Sequence, residues 1–266
     1  MPQAPDSYNP FARAGSSVST YVDVRPGYPT SALEGLVFDS DVVVDVGAGT
    51  GKLTATLASL AGEVWAVEPS GDMRVGFTRA LPNFPTERLL DATAEHLPFA
   101  DASVDVLAFG QCWHWLDERA AARESARVVK PGGRVLILYN QFDVRQAWVH
   151  RLARIMRSGD VHRIDRVPDL RIPGHHGHME RPFTEPELHA NTWLDPLFPA
   201  QIARLGTTRS SWLQASPEGR ARMRANLEWY MFKHLSWRDD AVVGVPYQLQ
   251  VWTATRFVGA GRYDSA

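Results

Sequence analysis

The chain has 266 residues and 29.6 kDa, which at about 150 residues per domain allows one elaborated domain or one domain with a modest appendage. Hydrophobic residues make up 44% and charged residues 22%, so the chain can bury a full core, and disorder, collagen and coiled coil are excluded. Lys and Arg number 28 against 30 Asp and Glu, a balance that draws neither a nucleic-acid backbone nor an anionic bilayer to the surface as a whole.

Cys112 is the only cysteine, which rules out an intrachain disulfide and a Cys-based zinc site and fits a reducing cytoplasm. Met1 to Pro10 has neither a basic nor an apolar leader segment, and nowhere does an apolar run approach the ~18 residues of a membrane span. The expectation is a cytoplasmic protein that is neither exported nor membrane-bound.

Regular patterning starts at Asp41. Asp41 to Val46 is a β-branched run that ends in glycines and predicts a buried parallel strand. Lys52 to Leu60 follows as a helix with Leu53, Leu57 and Leu60 on one face. Glu63 to Val67 reads as a second strand, and Ser70 as the cap of a helix carrying Met73, Phe77 and Leu81. A short strand is expected around Arg88 to Leu90 and a fourth from Ser103 to Phe109; Asp117 then caps a helix to Val129, which Pro131-Gly132-Gly133 breaks before a strand from Arg134 to Tyr139. Five strands alternating with helices argue a doubly wound, mostly parallel α/β sheet of Rossmann-like type.

Beyond Tyr139 the alternation stops. A helix is expected around Trp148 to Met156, then an irregular stretch from Ser158 to Thr192 with five of the nine histidines, of the length that suits a lid or binding loop. Ser216-Pro217-Glu218 opens another helix with Met223, Leu227, Tyr230 and His234 on one face. Val242 to Phe257 closes the chain as a strand. This divides one structural domain into a cover (1–40), a core (41–140), lid and cap insertions (141–240) and a last strand (241–266).

The turn Asp45-Val46-Gly47-Ala48-Gly49-Thr50-Gly51-Lys52 joins a strand to a helix, where backbone can approach a ligand closely. A phosphate-binding P-loop is excluded, because Val46 stands at its first glycine and Leu53 follows Lys52 where a hydroxyl is needed. A dinucleotide fingerprint fails because Lys52 occupies its third glycine position. What remains is GxGxG preceded by an acid, with Glu68 at the end of the second strand, 21 residues after Gly47, where an open sheet presents a carboxylate to ribose hydroxyls. That is the layout for S-adenosylmethionine (SAM).

With Tyr21 and Arg25-Pro-Gly-Tyr-Pro29, Asp45 to Gly51, Val67-Glu-Pro-Ser70 with Met73, Ala94-Glu95-His-Leu-Pro98, Gln111-Cys-Trp-His-Trp115, and Arg127 to Gly133 with Asn140, nearly the whole chain resembles a class I SAM-dependent methyltransferase. More narrowly, it is similar to the small-molecule methyltransferase type 11 group that includes trans-aconitate methyltransferases. The resemblance implies the class I methyltransferase fold, with helical lid and cap elements in the C-terminal half, and S-adenosylhomocysteine (SAH) as cofactor product. It implies that Gly47 and Gly49 line the methionine part of SAM, Glu68 holds the ribose and Met73 packs against the adenine, whose edge meets Thr93, Ala94 and Glu95, with Asp45, Ala48, Gly51 and Pro69 also among the cofactor-binding residues. Many relatives carry Asp where this chain has Thr93; the hydroxyl or Asp91 would then accept the adenine amino group. Tyr21 and Arg25 would cover the cofactor's carboxylate end, an aromatic face near a sulfonium gaining cation–π attraction, and Gln111 completes the implied set.

On the acceptor side the same resemblance points to Trp113, His114, Trp115 and Asn140. His114, at the carboxyl edge of the sheet, suits a base or a substrate-orienting group, since an imidazole titrates near neutrality. Arg145 to Arg181 holds eight arginines against four acids, which either recruits an anionic acceptor or forms a solvated face. His175-His176-Gly177-His178 with Glu180 is the one metal-like cluster, but its spacing fits no regular ligand set and a polar lid is the competing reading, so no metal is expected. The expected protein is a monomer or homodimer that methylates O or N, with C less favoured, of a small natural product or organic acid, without nucleic-acid or membrane partners. A cofactor binder that transfers no methyl group, and an RNA or protein methyltransferase, stand as alternatives.

Overall fold

A computed structural model describes residues 24–156, 166–174 and 178–258. The glycine-linked alternation is realised as β1 (Val42–Val46), α1 (Lys52–Leu57), β2 (Glu63–Val67), α2 (Gly71–Ala80), β3 (Leu89–Leu90), β4 (Val104–Gly110), α3 (Glu118–Val128) and β5 (Val129–Phe142). Helix starts follow local chemistry. The Ser70 hydroxyl accepts from the Met73 amide at the head of α2, and the Asp117 carboxylate accepts from the Arg119 and Ala120 amides at the head of α3, pairing amides that have no partner within the helix. On α3 the inward face is Ala121, Ala122, Ser125, Ala126 and Val128, small enough for close packing on the sheet.

The later elements are α4 (Ala147–Ile155), a small antiparallel pair β6 (Ile172–Pro173) and β7 (Met179–Glu180), β8 (Glu187–Leu197), α5 (Pro199–Thr207), α6 (Ser210–Leu213), α7 (Pro217–Glu228), a π-helical turn (Trp229–His234) and β9 (Val243–Thr255). The main sheet has seven strands in the order β3-β2-β1-β4-β5-β9-β8. β1 pairs in parallel with β2 and β4, β2 with β3, and β4 with β5. β9 opposes β5: the Gly132 amide donates to the Arg256 carbonyl and the Asp143 amide to the Pro246 carbonyl, both at 2.9 Å, so numbering rises along one strand as it falls along the other. The chain works outward through β2 and β3, then resumes on the other side of β1 with β4. Ligands of open α/β sheets bind at the carboxyl ends of the strands at such a reversal.

Three departures from the sequence reading have physical causes. Pro131-Gly132-Gly133 does not separate α3 from a strand at Arg134; β5 begins at Val129 and carries the three residues as a bulge, its partner on β4 moving only from Val104 to Val106 while β5 advances from Val129 to Arg134. Residues 187–197, read as loop into a region without elements, form β8, whose first six residues are all exposed and therefore lack the apolar alternation that announces a strand. α5 was not anticipated either, although Pro199 opens it, the Gln201 side chain accepts from the Phe198 amide, and Ile202 and Leu205 are buried.

Two compact units emerge, each with its own core. The first comprises, of the described residues, 28–139, 167–174, 178–189 and 250–258, with Val44, Leu107, Phe109, Trp113 and Ile137 among its buried residues. The second comprises, of the described residues, 24–27, 140–156, 166 and 190–249, with Val149, Leu152, Ile202, Leu205, Met223, Leu227 and Tyr247 in its core.

Candidate functional site

The site is built in the first unit from the turn after β1. Gly47 and Ala48 amides donate to the Val67 carbonyl at 2.8 and 3.0 Å, hanging the turn on the end of β2. Gly51 has φ +84°, and a Cβ there would lie 2.6 Å from Leu81 Cδ1 and 3.0 Å from the Phe77 ring, so only glycine fits. Gly49 has φ +57° for a different reason: a Cβ on it would meet nothing nearer than a carbonyl oxygen 4.0 Å away, which leaves open space above its backbone.

Glu68 faces that turn. Its Oε2 accepts from the Gly49 amide at 2.9 Å and its Oε1 from the Ser70 amide at 2.8 Å, while the Glu68 amide donates to the Leu90 carbonyl. A carboxylate has about four acceptor positions, so it retains capacity for two ligand hydroxyls. Burial raises the Glu68 carboxyl above its usual range, opposed by those two amides and by Arg74. Arg74 straddles the region, with Nη1 donating to the Glu68 carbonyl and Nη2 to Asp91, each at 2.6 Å.

Asp45 is fully buried beneath the turn. Its Oδ2 accepts from the Thr54 hydroxyl at 2.6 Å, and burial pushes its carboxyl up to about 7, with the neighbouring Glu68 adding to the rise against the lowering by Thr54. Asp45 Oδ1 and Thr50 Oγ1 are buried without a partner among the described residues. Cys112 donates its thiol to the Val46 carbonyl at 3.1 Å and lies where a Cβ on Gly47 would be, 2.9 Å from its sulfur; burial pushes the thiol well above its usual range.

Beyond β4, Gln111 adopts φ +60° while its amide still pairs with the Leu138 carbonyl at 2.9 Å. The backbone then coils into one 3-10 turn, Trp113–Trp115. Trp113 is a core residue, 2% exposed, with its ring edge-on to Phe109. His114 is half-buried, its ring centroid 4.7 Å from that of Trp115 and 6.1 Å from that of Tyr139. Met73 and Ala94 are buried, Pro69 and Thr93 are exposed, and Glu95 Oε1 accepts from the Asp117 amide at 3.3 Å.

Asn140 and Arg25 belong to the second unit. Asn140 donates through Nδ2 to the Gly27 carbonyl at 2.8 Å and accepts from Trp193 Nε1 at 3.1 Å, and Arg25 Nη2 donates to the Thr208 carbonyl at 2.6 Å. Tyr21, His175 and His176 lie outside the described residues; His178 is exposed, and among the described residues no group of three or more His, Cys, Asp or Glu could hold a metal ion. No described helix is long and apolar enough to cross a membrane. Thr54, Arg74, Cys112 and Tyr139 are the site residues that sequence reasoning did not assign, and only Arg74, one turn after the Ser70 cap, had a positional signal.

Comparison with known proteins finds methyltransferases. The pattern of a family described as a methyltransferase domain matches residues 44–137, from β1 into β5. An uncharacterized methyltransferase of Mycobacterium tuberculosis is 35% identical over 235 residues, 88% of this chain and 91% of that protein. An uncharacterized methyltransferase of Schizosaccharomyces pombe is 31% identical over 169 residues, 60% of this chain and 66% of that protein. Among solved structures, a protein of Anabaena variabilis described as a methyltransferase from an antibiotic biosynthesis pathway superposes with TM-score 0.53 at 20% identity, covering 84% of this chain and 95% of that one.

The chain belongs to the class I SAM-dependent methyltransferases. SAM is the methyl donor, and the residues present fit it: open space over Gly49, a paired carboxylate at the end of β2, and buried oxygens of Asp45 and Thr50 that still have acceptor capacity.

Proposed function

We propose that the methyl group passes to oxygen or nitrogen, with carbon the less favoured atom, of a small-molecule acceptor such as a natural product or an organic acid. SAM supplies an electrophilic methyl on a sulfonium. The chain's own residues bind, orient, exclude water and move a proton. Glu68 would hold the ribose hydroxyls, the Gly47 to Gly51 turn the methionine portion, Met73 and the Thr93-Ala94-Glu95 stretch the adenine. Fixing both partners converts an encounter into a unimolecular displacement.

The observation that carries the acceptor reading is His114, a half-buried imidazole beyond the carboxyl end of β4 with the rings of Trp115 and Tyr139 beside it. It would take the proton of an acceptor hydroxyl or amine, and the rings would keep water from the reacting atoms. The net charge of −2 supports a small acceptor over a nucleic acid, whose phosphates call for a basic face.

SAH release measured across a metabolite panel tests this. A small molecule should trigger release, and His114→Ala should lower kcat for a hydroxyl acceptor by roughly 10²–10⁴ while SAH affinity holds. Unchanged turnover in the variant would remove the base, and release triggered by bulk RNA or protein alone would remove the small acceptor.

A further inference from the structure

α4 carries two faces with separate roles. Val149, Leu152 and Ala153 enter the core of the second unit. The opposite face, with Trp148, Arg151 and Arg154, forms one wall of an open surface groove of about 800 Å³, and Asn226, Tyr230 and His234 lie on the other wall. Small-molecule sites typically occupy about 300–1,000 Å³.

The lining is cationic and aromatic at once. No Asp or Glu is among the described lining residues, and neither Arg151 nor Arg154 has a carboxylate partner among the described residues. The Arg151 guanidinium lies 5.5 Å over the Tyr230 ring, which leaves its N–H fork uncommitted to any carboxylate. Tyr230 is 1% exposed and donates its hydroxyl to the Trp148 carbonyl at 3.0 Å, so the floor is fixed. The His234 ring lies nearly parallel to those of Tyr230, 5.3 Å away at 19°, and Trp229, 5.6 Å away at 22°, and Trp148 is braced edge-on by Trp237 at 5.5 Å. Tyr230 and His234 sit on the π-helical turn Trp229–His234, a distortion that recurs at functional sites because it re-aims side chains within a helix.

We propose that this groove binds a small organic anion with a flat ring, its carboxylate or phosphate gripped by the forks of Arg151 and Arg154 and its ring laid against Trp148. Guanidinium forks match planar anions in two parallel hydrogen bonds, and fixed aromatic faces pair with a ring at little cost in side-chain freedom. The site stands on residues of the second unit alone, so it does not depend on the role given to His114.

Calorimetric titration of the full chain with benzoate, phenyl phosphate and neutral benzamide tests the proposal. Benzoate and phenyl phosphate should bind saturably, at least roughly tenfold more tightly than benzamide, and lose at least roughly tenfold in affinity in Arg151→Gln/Arg154→Gln. SAH titration of the same variants checks that they fold, and Arg154→Gln alone, at an exposed position, should show part of the loss. With SAM added, SAH release on adding the anion marks it as the methyl acceptor, and binding without release marks an effector; both support the site. Equal affinity for benzamide, or anion binding unchanged in the double variant, overturns it.

Discussion

Asp45 shows how one residue couples the fold to pH. Its carboxyl is fully buried, accepts a single hydroxyl from Thr54, and titrates at about 7 where the ordinary value is 3.8. The dominant cause is lost hydration of the charged form. Because the folded value lies above the unfolded one, the stability that neutral Asp45 contributes is complete below 3.8 and is lost as pH rises to about 7. Asp45→Asn keeps an oxygen for the Thr54 hydroxyl and removes the titration. Its unfolding free energy relative to the wild type, read from denaturation across pH, should therefore climb between about pH 4 and pH 7 and level off above, at a slope of at most about 1.4 kcal/mol per pH unit. A difference that stays constant with pH would mean that Asp45 is ionised throughout.

At the scale of elements, the strand–turn–helix around Gly47 separates folding from binding within five residues. A methyl group on Gly51 strikes Leu81 and Phe77 in addition to straining φ +84°, whereas one on Gly49 strains φ +57° and projects into open space. Gly51→Ala should lower the melting temperature sharply, by the combined cost of strain and overpacking, about 2–4 kcal/mol. Gly49→Ala should cost only about 1–2 kcal/mol yet weaken SAH binding at least roughly tenfold. Thermal melts and calorimetry on the two proteins decide it; equal melting temperatures would refute the distinction. This turn was legible because its signals are local: β-branched residues before glycines, then a leucine face. β8 was not, since its first six residues, Glu187 to Thr192, are exposed and only pairing with a distant strand makes them extended. α5 had its Pro199 start and its Ile202 and Leu205 face, but a reading that treated the region as lid gave those signals no weight.

Across the whole molecule, the glycine turn and Glu68 were readable because they are fixed by spacing along a parallel sheet. Their supports were not, because each arises where separate elements meet. Thr54 reaches Asp45 from α1, Arg74 joins the Glu68 carbonyl to Asp91, and Tyr139 comes beside His114 only through the register that sets Gly110 against Leu138. The supports also define what one substitution does to the chain. Glu68 pairs with the Gly49 and Ser70 amides, so Glu68→Gln, which keeps an acceptor oxygen, tests ribose recognition with less damage to the turn than truncation. A ligand that binds only the folded state stabilises it by RT ln(1 + [L]/Kd), about 2.7 kcal/mol at 100 times Kd. SAH at that excess should raise the wild-type melting temperature by several degrees, since in a chain of this size each kcal/mol moves it by about 2–4 °C. The same SAH concentration should leave Glu68→Gln with little or no shift from its own ligand-free melting temperature, which should itself fall by several degrees because the new side-chain NH2 faces one of the two amides that the carboxylate pairs. An equal shift in both proteins would mean that the cofactor is held without this carboxylate.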